Sequence, residues 1–154
     1  MVSIISRYSD GKTLGIHRTY LKTTDHCSAS KADISPNKMM LGSVSGGAVM
    51  LTRPEFAKPL IITEGIETAL SVYASTGIPT WAALSTSGMA KVVVPPTEVT
   101  QQIIIAADSD VAGVTAARLL AGRLLKTGYK VKIATPPSTG TDFNDLLLLA
   151  EGCI

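Results

Sequence analysis

Three features of the sequence predict an α/β protein: a mostly parallel sheet flanked by helices, preceded by a small β-rich N-terminal segment. From Pro59 onward, short apolar runs alternate with stretches whose apolar residues recur at helical spacing, as in a sheet covered on both faces. Within that region QQIIIAAD (101–108) is bounded, apolar and β-branched, the pattern of a buried strand. Residues 1–58 differ, because their apolar pieces are short and separated by the turn-forming stretches SDGK, SPNK and SGG. The division predicted is therefore a β-rich segment over 1–58 and an α/β domain over 59–154.

In the N-terminal segment GIHRTYL and GAVML are the strand candidates, and TRPEFAKP connects onward. LIIT opens the α/β region. IETALSVYAST follows as a helix with Ile66, Ala69, Leu70 and Tyr73 at helical spacing, stopped by Gly77 and by Pro79, which could not continue it. TWAAL is the second strand, with Trp81 assigned to the core rather than to base stacking. STSG is predicted as a polar loop and VVVPP as a short extended piece. After the QQIIIAAD strand, residues 111–127 are predicted as a helix with Leu119, Leu120, Leu124 and Leu125 as its apolar stripe and Gly128 as its stop. YKVKIATPP is a further strand and turn, and Asp142 to Ala150 a short final helix.

Composition excludes several classes. A chain of 154 residues supports one ordinary core, and 45% hydrophobic with 17% charged residues is globular rather than disordered. No apolar stretch reaches the roughly 18–20 residues of a membrane span, and MVSIISRYSDGK lacks the parts of a signal peptide. Cys27 and Cys153 form no C-x-x-C pair, and His26 beside Cys27 lacks the second pair a tetrahedral zinc site needs. A reduced, cytoplasmic protein without a membrane association is expected. Residues 1–58 hold eight Lys or Arg against four acids, and residues 59–154 six against eight. A basic front and an acidic rear suit a polyanion lying across one part while cations sit in the other, although scattered solubilising charges give the same count.

In parallel α/β sheets ligands gather at the carboxyl ends of the strands, where the strand order reverses. That rule selects Glu64 after the first strand of the α/β region, Asp108 and Asp110 after the third, and Asp142 and Asp145 after the last, with Ser85 and Thr86 in the loop after the second. Carboxylates gathered on one rim repel one another unless cations or protons neutralise them. Mg²⁺, a hard ion that takes oxygen ligands and substrate phosphates together, is the natural remedy. Two readings remain open for several residues. Asp110 suits a metal or a helix N-cap. Gly65 suits a phosphate approach or a tight turn. Ser85 and Thr86 suit a phosphate or a turn.

Glu-Gly after an apolar strand in TEGIETALS, Asp-x-Asp in AADSDVAG and a third acidic motif in GTDFNDLL together resemble the Toprim domain. That Rossmann-like fold is shared by bacterial-type primases, topoisomerases and certain nucleases and recombination proteins. EGIETALS, WAALSTSGM and TDFNDLL look most like Toprim domains of phage and plasmid primases, often fused to helicases, and KMMLGSVSGGAVML looks like the segment preceding the fold in them. The resemblance covers roughly residues 15–149. It implies that Glu64 is the general acid or base, that Asp108 and Asp110 bind Mg²⁺ (or Mn²⁺), and that Asp142 or Asp145 completes the coordination. It further implies a primase-like nucleotidyltransferase of DNA replication, with single-stranded DNA and nucleotides as partners and Arg18 and Lys38 as candidate contacts to them. Because such primases also use a zinc-binding template-reading module and often a helicase, a partner supplying either is expected. A topoisomerase is disfavoured, since Tyr8, Tyr20, Tyr73 and Tyr129 have no favourable setting for a nucleophile. A Toprim nuclease and a non-catalytic nucleic-acid-binding or interaction module are the alternatives.

Overall fold

The computed structural model describes residues 1–24, 28–138 and 140–150, with side chains undescribed at 23–29 and 148–150. His26, Cys27 and Cys153 therefore lie outside the described residues. The N-terminal segment contains β1 (Val2–Ser6), β2 (Thr13–Thr19), β3 (Leu21–Thr24), β4 (Ser28–Lys31), β5 (Lys38–Gly42) and β6 (Val49–Met50). The remainder contains β7 (Leu60–Thr63), α1 (Ile66–Thr76), β8 (Thr80–Ala82), α2 (Thr86–Lys91), β9 (Gln102–Ala106), α3 (Val111–Lys126), β10 (Lys130–Ala134) and α4 (Phe143–Ala150).

The main sheet has five strands in the order β10-β9-β7-β8-β6. The first four run parallel, and β6 closes the edge antiparallel to β8. Residues of the N-terminal segment thus complete the main sheet. That segment also forms an antiparallel three-stranded sheet, β1-β2-β5, and a β3-β4 ribbon. Among the described residues no helix is long and apolar enough to cross a membrane.

Strand alternation fixes the layers. Leu60 and Ile62 of β7 and Ile103 and Ile105 of β9 face Met89 of α2 and Ala116, Leu120 and Leu124 of α3. Ile61 and Ala106 point the other way, toward Val72 of α1 and Phe143 of α4. Both faces are covered, which is why these strands read as continuous apolar runs; each fully buried Ile or Leu contributes roughly 1.5–3 kcal/mol. Trp81 is fully buried, donates from Nε1 to the Thr52 carbonyl at 3.0 Å and stands 5.5 Å from the Tyr8 ring.

Several expectations need correction. The buried face of α3 is Ala116, Ala117, Leu120, Ala121 and Leu124, whereas Leu119 and Leu125 are 62% and 58% exposed. On α1, Ile66, Thr68, Ala69, Ser71 and Val72 are buried, while Leu70 and Tyr73 are exposed. In both helices small residues face inward and let the helix axis approach its neighbours closely, so part of the bulky apolar set is left outside. STSG does not remain a loop: Ser85 caps α2 by accepting the Gly88 N–H at 3.0 Å. VVVPP joins no sheet, although Val92 is fully buried.

Candidate functional site: an acidic rim at the switch point of the sheet

The chain leaves β7 for β8 on one side of the sheet and then crosses to β9 on the other. The strand order therefore reverses between β7 and β9. Register places Thr63 beside Ala106 at the carboxyl ends of these two strands. One residue beyond Thr63 is Glu64, and two beyond Ala106 is Asp108, so the crevice at the switch point is flanked by two carboxylates.

Glu64 is half-buried and its carboxyl is raised above the usual range. Burial is the main cause, followed by the negative charges of Asp108 and Asp110; the Thr86 N–H and the Lys38 ammonium oppose the shift. The Glu64 carbonyl accepts the Leu84 N–H at 2.8 Å, which ties the tip of β7 to the turn after β8. Leu84 adopts φ 75°, a left-handed conformation that costs a branched side chain energy and that this turn enforces.

Asp108 is also raised, first by burial and then by Asp142, Asp110 and Asp145. Its Oδ1 is buried without a hydrogen-bond partner. Asp110 caps α3, its Oδ1 accepting the Gly113 N–H at 2.6 Å. Asp142 and Asp145 cap α4 reciprocally: Asp145 Oδ2 accepts the Asp142 N–H at 2.9 Å, and Asp142 Oδ1 the Asp145 N–H at 3.0 Å. Thr68 donates to Asp142 Oδ2 at 3.3 Å, and Ser71 to Asn144 Oδ1 at 2.8 Å, joining α1 to α4.

These acids suit a divalent cation. Asp108 presents an orphaned buried oxygen among like charges, and Asp110, Asp142 and Asp145 each give one oxygen to a backbone N–H at a helix start. Among the described residues no group of three or more His, Cys, Asp or Glu side chains is arranged to hold a metal ion. Asp110, Asp142 and Asp145 are each oriented by a backbone N–H at a helix start, Asp142 and Asp145 by each other's.

The sequence reading missed Ser109, Thr68 and Glu67. Ser109, between the two aspartates, exchanges hydrogen bonds with Thr141: its Oγ accepts the Thr141 N–H at 3.0 Å, and its N–H donates to the Thr141 carbonyl at 3.1 Å. This clamp draws the loop carrying Asp142 to the Asp108 turn. Helical spacing could have found Thr68, four residues after Glu64; nothing local marks Ser109.

The basic candidates separate. Register pairs Thr19 with Lys38 and Arg18 with Met39. Because side chains alternate, Lys38 shares the inward face with His17 and Thr19, while Arg18 joins Val2, Ile4, Ile16 and Leu41 on the outward face. Arg18 rests on Met39, its Nη2 3.7 Å from the sulfur, and is not brought to the acids. Ser85 is engaged as the α2 cap, and Thr86 opens that helix beside Glu64.

Gly113 shows how tightly α3 seats on this edge, since a Cβ there would lie 2.8 Å from the Asp108 carbonyl oxygen. Gly113→Ala gains up to about 1 kcal/mol of helix propensity but forces backbone apart at roughly 1–3 kcal/mol. A net lowering of the urea midpoint is expected, and an unchanged or raised midpoint would refute the close contact.

The Toprim domain profile matches residues 59–152, and a domain of unknown function matches residues 1–51. A comparison with curated protein sequences finds no match. Among solved structures, a DNA primase domain from Pseudomonas aeruginosa is similar at TM-score 0.61 and 18% identity, over 96% of this chain and 46% of that one. The primase fragment of the bacteriophage T7 primase-helicase is similar at TM-score 0.61 and 22% identity, over 98% of this chain and 58% of that one. A DnaG primase catalytic domain bound to single-stranded DNA gives TM-score 0.56 and 17% identity, over 96% and 47%. The chain thus spans about half the length of these structures. With its profile match, its parallel sheet flanked by helices and its acidic switch point, the chain belongs to the Toprim domain family.

Proposed function

We propose that this Toprim domain is the catalytic part of a Mg²⁺-dependent, primase-like nucleotidyltransferase acting on single-stranded DNA in DNA replication. The observation that carries the reading is the switch-point crevice, where Glu64 faces Asp108, whose buried Oδ1 lacks a partner among like charges. A mere binder of phosphates gains nothing from anionic groups there. Single-stranded DNA bound to one of the structural relatives supports the substrate class.

Asp108 and Asp110, with Asp142 or Asp145, would hold Mg²⁺ or Mn²⁺. When bound, the ion supplies charge neutralisation to the phosphates and favours the ionised hydroxyl. In the reaction the primer 3′ oxygen forms a bond to the α-phosphorus of a nucleoside triphosphate, the bond to pyrophosphate breaks, and the hydroxyl proton passes to the Glu64 carboxylate. Glu64 suits that task because burial and neighbouring charge raise its proton affinity toward the working pH. Lys38, on the inward face, receives the triphosphate, and Gly65 makes the tight strand-to-helix turn at the start of α1, beside the Glu67 carboxylate. Ser85 holds the α2 turn that presents Thr86 to the rim. Arg18, on the outward face, is assigned to a strand passing over the N-terminal sheet. A helicase or a zinc-binding template-recognition partner completes the assembly.

The test is incubation with single-stranded DNA, labelled nucleotides and Mn²⁺. Extended products are the expected result. Shortened DNA would instead identify a nuclease, and retained DNA without either product a binding module; each outcome would overturn the synthetic reading.

A further inference from the structure

Lys38, at the start of β5, and Lys31, at the end of β4, converge on Glu67 in the first turn of α1. Lys38 Nζ lies 3.0 Å from Glu67 Oε2, and Lys31 Nζ 3.5 Å from Oε1. The Glu67 side chain is 25% exposed, less than either lysine. A Cβ on Gly65 would lie 3.5 Å from Glu67 Oε2, so the carboxylate folds back over the Glu64–Gly65 peptide. Held there, the Lys38 ammonium acts by its charge on both the Glu64 and the Asp108 carboxyls, as the weakest of the influences on each. Burial alone would raise the Glu67 carboxyl, but its own backbone N–H and Lys38 outweigh burial and keep it ionised.

A lysine ammonium on a flexible four-carbon stem can turn from one neighbouring anion to another. With Glu67 neutral, the anions next within its influence are Glu64 and Asp108, the groups assigned above to proton transfer and metal. Building on that assignment, we propose that Glu67 is a positioning residue. It holds the Lys38 ammonium at the mouth of the acidic rim, available to a triphosphate, and keeps it from settling on Glu64 and Asp108 in competition with the divalent cation. Lys31, 3.5 Å from the second carboxylate oxygen, leaves a positive charge beside Glu67 when Lys38 turns to a phosphate.

The test measures the Mn²⁺ concentration that half-saturates thermal stabilisation in the wild type, Glu67→Gln, Lys38→Met and the double variant, with circular dichroism as the folding control. Glu67→Gln is expected to weaken Mn²⁺ about tenfold, the scale of one charge-assisted hydrogen bond in a partly exposed site. In the Lys38→Met background the same change is expected to have less than about a twofold effect, the sign of coupling between the two side chains. Glu67→Asp keeps the charge and is expected to recover most of the affinity. A packing role predicts the reverse order, with isosteric Gln harmless and the shorter Asp harmful. Additive losses, or a Glu67→Gln protein matching the wild type, would overturn this inference alone. A wild type that binds no Mn²⁺ would overturn the metal assignment with it.

Discussion

In EDTA at pH 7, Asp108→Asn/Asp110→Asn is expected to melt above the wild type, and saturating Mn²⁺ is expected to reverse that order. The first half follows from the raised Asp108 carboxyl, whose causes are burial and then repulsion by Asp142, Asp110 and Asp145. A carboxyl raised in the folded state contributes its stability below the unfolded value of about 3.9, and that contribution is lost as pH rises through the folded value. Asn cannot ionise, so the variant escapes the loss at neutral pH and has no such advantage near pH 3. The Asp110→Asn change retains an N-cap, because an amide oxygen also accepts the Gly113 N–H. The second half is mass action. A cation at a hundred times its dissociation constant stabilises by about 2.7 kcal/mol, which is about 5–10 °C in a protein of this size. Melting curves with and without Mn²⁺, at pH 7 and pH 3, read both effects. Equal Mn²⁺ shifts in the two proteins would remove the metal assignment, and a variant less stable in EDTA at pH 7 would contradict the repulsion.

Glu64→Gln carries the largest expected effect on activity. If Glu64 accepts the proton of the attacking hydroxyl, its loss should lower the turnover of nucleotide incorporation by about 10²–10⁴-fold. The Michaelis constant for nucleotide should change little, since the interaction lost belongs to the transition state. Mn²⁺ stabilisation and binding of single-stranded DNA should persist, because Gln fills the same space and Glu64 is not assigned to the metal. Glu64→Gln also removes one charge from the rim, so no loss of melting temperature is expected in EDTA. Incorporation above a tenth of the wild-type rate would exclude Glu64 as the base.

Much of the fold was legible in the sequence because a doubly covered parallel strand has no polar face to interrupt it. LIIT and QIIIA therefore stand out as unbroken apolar runs, and their ends locate Glu64 and Asp108 without further information. Gly77 and Gly128 marked where α1 and α3 stop, and both adopt positive φ. Helix faces were less legible. Leu119 and Leu125 outrank Ala117 and Ala121 in hydrophobicity, yet the alanines lie inside because close approach to the sheet favours small side chains over large ones. Of the two readings of Asp110, the structure realises the N-cap, its Oδ1 accepting the Gly113 N–H.

Sequence by itself determined the α/β class, the carboxylates at strand ends and the small β-rich front. Local pattern suffices there, because strand alternation, helix period and terminating glycines act within a few residues. Tertiary structure alone decided that β7 and β9 adjoin at the switch point, that Ser109 clamps the Asp142 loop to the Asp108 turn, and that Lys38 faces inward while Arg18 faces out. These depend on strand order and register across residues far apart in the chain, and a one-residue change of register turns every side chain of a strand to the opposite face.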